Sequence, residues 1–172
     1  MTKMWSFPSE YTSLPEKSEV QNQLNLLREE TALSKKVQIL GKNIVSANGL
    51  SDKYHFHVYQ SKQNEILHAA NNTLFLPTGL LKLAKTDANI AFILAHEIAH
   101  WENKDYQTNQ ARIPRSPGDI KESECNADES GILLYKNAGY SMKALNAFFI
   151  NMLPYRPHQE SCPDVYELEM KK

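Results

Sequence analysis

Asp87-Ala-Asn-Ile-Ala-Phe-Ile-Leu-Ala-His96-Glu97-Ile-Ala-His100-Trp101 is the stretch on which the reading of this chain turns. From Ala88 to Ala99 it is apolar apart from Asn89 and the group around His96 and Glu97, and it contains neither Gly nor Pro. With Asp87 as a capping residue, it predicts a buried helix from Ala88 to about Asn103. Residues four apart share one helix face, so His96 and His100 can both reach a single metal ion, with Glu97 beside them. An apolar helix seldom buries two His and a Glu without something to neutralise them, which favours a metal over two satisfied core histidines. The ligand types suit zinc, and the chemistry they suggest is hydrolytic: zinc acidifies a bound water and Glu97 takes its proton as general base.

A catalytic zinc needs a third protein ligand. One extended pattern places Gly third and His sixth after the second His, but those positions hold Asn103 and Tyr106. A carboxylate on a following helix is the alternative, and Glu124 is the best candidate. Asp128 lies four residues on, on the same face, where it can accept a hydrogen bond from a ligand imidazole and fix its tautomer. Glu122 falls on another face and reads as a helix cap, and Glu129 reads as solvated. Cys125 points about 100° away from Glu124 and reads as packing.

Working outward, residues 1–17 form an irregular arm. The apolar spacing of Val20, Leu24, Leu27, Leu33, Val37, Leu40 and Ile44 predicts a long amphipathic helix over 19–47, bent at Gly41. Strands are expected at 54–60, 66–69 and 73–76, with Asn71-Asn72 as the turn between the last two. A short helix over 79–85 precedes the His96 helix, and a polar loop covering 104–118 follows it. Asp119 with Glu122 resembles a capping box for a helix to Asn137, and Ser141 caps a last helix over 142–153. This order gives an α+β domain over 18–153, with a tail at 154–172. His55 and His57 share a strand face without a third ligand, His68 reads as structural, and the Trp101 indole covers the helix end.

At 172 residues, 41% apolar and 23% charged, the composition is globular. The net charge of −1 gives no footprint for nucleic acid. The longest apolar run, Ile90 to Ala95, is far short of a transmembrane segment. Cys125 and Cys162 can pair in an oxidising compartment or stay as thiols in a reducing one. No secretory leader is visible, so the chain as it stands reads as cytoplasmic. Removal of a leader would instead point to the bacterial envelope, the periplasm or a membrane surface.

Four segments together resemble the HtpX-like and BepA-like zinc endopeptidases, of the gluzincin group that also contains the CAAX prenyl endopeptidases. These are Leu76-Pro-Thr-Gly-Leu-Leu81, the helix Ile90 to His100, Glu124-Cys-Asn-Ala-Asp128-Glu-Ser-Gly131, and Asn137-Ala-Gly-Tyr-Ser141 with Ala144-Leu-Asn-Ala-Phe-Phe149. The resemblance covers roughly residues 37–153. It implies a zincin-like metallopeptidase domain with a small antiparallel or mixed sheet, the HExxH helix and a second ligand-bearing helix. By position it makes His96, His100 and Glu124 the ligands of one zinc ion per chain, and Glu97 the general base. It sets Asp128 behind the ligands and Gly131 where the helices pack closely. The segment before Pro77 would be the edge strand along which an extended peptide or unfolded protein binds by strand addition. The family's His-Pro element near the C-terminus appears here only reversed, as Pro157-His158, which makes His158 a weak candidate for stabilising the transition state. The expected function is a zinc-dependent metalloendopeptidase. The alternative is a catalytically silent or latent zinc-binding module that holds unfolded segments as a chaperone does.

Overall fold

The computed structural model describes residues 30–62, 66–69, 71–105 and 117–152. The arm 1–17, the start of the 19–47 helix, most of the 104–118 loop, the tail 154–172 and with it His158 lie outside these residues.

Helix α1 spans Thr31–Ala47 and buries Val37, Leu40 and Ile44, the stripe expected of a helix lying on a core. It starts at Thr31 rather than running through from 19. Glu30 is non-helical (φ −92°, ψ 83°) because its N–H donates to the carbonyl of Val58, 3.0 Å away, as a neighbouring strand would. Gly41 is buried on the sheet side of this helix. It lies against strand β1 (His55–Tyr59), and a Cβ there would overlap the ring of Phe56, so glycine permits the close approach of helix and sheet.

Strands β2 (Leu67–Ala69) and β3 (Thr73–Pro77) form an antiparallel hairpin. The chain reverses there through Asn71 and Asn72, both left-handed at φ 60° and 52°, a conformation Asn tolerates better than most residues. Strand β1 pairs with β3 in parallel, so the sheet is mixed, with order β1-β3-β2. This order corrects the expectation that the segment before Pro77 is the edge strand. That segment is β3, which is central and buried at all five positions, with β1 and β2 occupying its two hydrogen-bonding sides.

The sheet alternates as a half-buried sheet should. Phe56, Val58, Leu74 and Leu76 face the main core, while Tyr59, Ala69 and Phe75 form a smaller cluster on the other side. The outer edge of β1 is covered by α1. Ser34 Oγ accepts the Val58 N–H at 2.8 Å, and Gln38 Oε1 accepts the Phe56 N–H at 2.8 Å. Among the described residues β2 is paired only with β3, so its other side is the open edge of the sheet.

Helix α2 (Thr78–Ala84) leads into α3 (Asp87–Glu102). The N-cap of α3 is Thr86, whose Oγ accepts the Asn89 N–H at 3.2 Å, and Asp87 is the first residue of the helix instead of its cap. Every residue from Ile90 to Trp101 is buried, as befits a helix enclosed by other elements. Helix α4 (Pro117–Asn137) packs along α3. Pro117 suits a first helical turn, and Asp119 lies within that turn rather than ahead of it. Gly139, left-handed at φ 83°, ends the turn after α4. Helix α5 spans Met142–Met152, with Ser141 Oγ accepting the Lys143 N–H at 3.2 Å. No described helix is long and apolar enough to cross a membrane.

Candidate metal centre

The helical repeat of α3 stacks His96 and His100 one turn apart, and their Nε2 atoms converge to 3.1 Å. From the neighbouring helix α4, Glu124 aims both carboxylate oxygens at this point. Its Oε2 lies 3.4 Å from His96 Nε2 and its Oε1 lies 3.5 Å from His100 Nε2. The three donor atoms all fall within 4.8 Å of one another and all three residues are buried. Among the described residues no other group of three His, Cys, Asp or Glu side chains is so placed.

Each imidazole is oriented from behind by a carboxylate. Asp128, one turn after Glu124, places Oδ1 2.9 Å from His96 Nδ1. Asp105 places Oδ2 2.8 Å from His100 Nδ1. With Nδ1–H donating outward to its carboxylate, each ring turns the lone pair of Nε2 inward, the tautomer that metal ligation requires. The sequence reading missed Asp105 because it lies past the end of α3, where helical spacing rules no longer apply. The backbone brings it back: Lys104 is left-handed at φ 63°, which turns the chain so that Asp105 faces the last helical turn. Gly131 sets the separation of the two helices. A Cβ there would come within 3.0 Å of His96 Cα and 3.1 Å of His96 N, so a larger residue would push α4 and its carboxylates away.

Glu97 lies next to this group and is buried. Its Oε2 is 3.3 Å from Nε2 of His68 on β2. This corrects the reading of His68 as merely structural, since strand pairing carries it to the centre of the site. His68 also meets the Trp101 indole edge-on, with ring centroids 5.4 Å apart. The other candidates lie elsewhere. His57 stacks on Phe75 at 5.1 Å, on the far side of the sheet, while Glu122 and Glu129 are exposed on α4. Cys125 is disulfide-bonded, and the other cysteine of the sequence, Cys162, lies outside the described residues.

The electrostatics favour a cation. Burial alone would strip His96 of a proton, but the hydrogen bonds to Asp128 and Glu124 and their charges outweigh it and raise its pKa to about 10. Burial pushes Glu97 upward, yet the hydrogen bond from His68 and the positive imidazoles hold it at about 2. Glu124, opposed in the same way by burial, is also held below the ordinary carboxylate range, chiefly by its bond to His96. Glu97 and Glu124 thus both remain ionised beside the two imidazoles. Positive charge is called for between them, and a proton on His96 supplies it when no metal does.

Residues 31–115, just under half of the chain, match the profile of peptidase family M48, a likeness that supports metallopeptidase chemistry. The mixed sheet flanked by helices fits the zincin-like architecture of such enzymes. The match begins at the start of α1 and ends at residue 115, before α4, so what is said of Glu124 and Asp128 rests on their geometry. No curated protein matches the chain.

Proposed function

We propose that this protein is a zinc-dependent metalloendopeptidase of the HtpX/BepA-like kind, with Glu97 as general base. The observation that carries the reading is the convergence of His96, His100 and Glu124 in a buried group with an ionised carboxylate, Glu97, beside it. Two imidazole nitrogens and a carboxylate, with a carboxylate behind each ring that favours the ligating tautomer, fit the three-donor set of a catalytic zinc. Zinc bound there supplies a Lewis acid that polarises the scissile carbonyl and acidifies water.

The chain's own groups do the rest. Glu97 takes a proton from the attacking water as its oxygen adds to the carbonyl carbon. The same carboxylate then returns the proton to the leaving amine nitrogen as the C–N bond breaks. Strand β2, paired only with β3 among the described residues and next to Glu97, would take the strand-addition role first expected of the strand before Pro77. A module that only holds unfolded segments would need the metal ligands but not a carboxylate buried beside them.

The test is hydrolysis of an unfolded protein such as casein by zinc-loaded protein, wild type against Glu97→Gln. Removing the base is expected to lower turnover by about 10²–10⁴-fold while zinc stays bound. Equal rates in the two proteins would refute the mechanism.

A further inference from the structure

We propose that His68 is a positioning residue for the general base, holding the Glu97 carboxylate in the orientation that proton transfer needs. The proposal rests on the peptidase reading above and adds a residue to it.

The sheet makes His68 an exception. Its core-facing positions among the described strands are Phe56 and Val58 on β1, Leu74 and Leu76 on β3, and His68 on β2, opposite Leu74 in the register. Four of the five are apolar core residues, and the one polar side chain stands where the sheet passes Glu97. His68 is mostly buried, its side chain 13% exposed, and Glu97 only 4%. Burying two polar groups is costly unless they satisfy each other, and the 3.3 Å between His68 Nε2 and Glu97 Oε2 lets them do so. Trp101 packs edge-on against the His68 ring and restricts its rotation, so the donor is fixed as well as near.

The consequence is directional. With Oε2 accepting from His68, rotation of the carboxylate is curtailed, and its orientation toward the attacking water is set. Misplacing a catalytic group by about 1 Å can cost about a hundredfold in rate without loss of binding. Since β2 pairs only with β3 among the described residues, the same strand would align the peptide and hold the base.

Two substitutions separate donation from packing. His68→Phe keeps a ring against Trp101 but has no donor, whereas His68→Gln keeps an N–H of similar reach. In casein-derived peptide assays, His68→Phe is expected to lower kcat by about ten- to a hundredfold, with KM within about twofold. His68→Gln is expected to recover most of that loss. Zinc content should remain that of the wild type in both. Independently of turnover, protein with 15N-labelled histidine should show His68 with its proton on Nε2, at a resonance that shifts in Glu97→Gln.

An active wild type with His68→Phe equally fast would overturn the proposal alone. So would loss of zinc from His68→Phe, or a His68 resonance indifferent to Glu97→Gln. A zinc-loaded wild type that hydrolyses nothing would instead overturn the peptidase reading, and the proposal with it.

Discussion

Asp105 and Asp128 touch no donor position themselves, yet each decides which nitrogen of its histidine faces inward. Replacing either with Asn keeps the shape but lets the amide present the wrong hydrogen-bonding group to Nδ1. Asp105→Asn and Asp128→Asn are each expected to weaken zinc by about 10–100-fold in a chelator competition assay. Unchanged affinity would show that the rings are held by packing alone. The same pairing shapes the pH response of the metal-free protein. His96 is raised from 6.5 to about 10, so the stabilisation from its ion pair is complete below pH 6.5 and is lost as pH rises through about 10. Glu97 is lowered from 4.5 to about 2, so its contribution is present above pH 4.5 and is lost as pH falls through about 2. Thermal melts of metal-free protein should therefore decline both above pH 6.5 and below pH 4.5. Zinc, taking the place of the proton on His96, should flatten the alkaline side; an identical slope with and without zinc would contradict this account.

Two glycines make the contacts between elements, and they separate stability from binding. Gly41→Ala drives a methyl group into Phe56 at the α1–β1 contact, away from the metal centre. It is expected to cost about 1–3 kcal/mol in denaturant melts while leaving zinc affinity unchanged. Gly131→Val pushes α4 from the backbone of His96 and should weaken zinc by about tenfold or more, because Glu124 and Asp128 move with the helix. The reverse pattern would mean that α3 and α4 adjust independently of the ligands. The parts of this site that were legible in the sequence are those that live on one helix. His96 with His100, and Glu124 with Asp128, follow from a spacing of four. Asp105 was missed because a left-handed Lys104 places it, and His68 because strand pairing does. Strand order was likewise hidden: β2 and β3 are short strands, of three and five residues, whose sequences carry no mark of which one is central. Thr86 and Asp87 are adjacent capping residues, and only the backbone reveals which of them stands outside the helix.

At the scale of the molecule, one edge of the sheet is covered by α1, and among the described residues β2, beside Glu97, pairs only with β3, so the proposed peptide would join β2. The helices α3 and α4 each carry part of the His96–His100–Glu124 group, so a metal bound there would tie together two elements that are distant in sequence. Chelation should lower the melting temperature of zinc-loaded protein, and added zinc should restore it. Insensitivity to chelator would mean that the two helices need no ion between them. The expectations for zinc affinity, chelation and turnover depend on the centre binding a metal. The measurement that tests this most directly is elemental analysis of untagged protein purified without chelators. The account predicts about one zinc per chain, lost on Glu124→Ala. No metal in the wild type, even after zinc is added back, would contradict it.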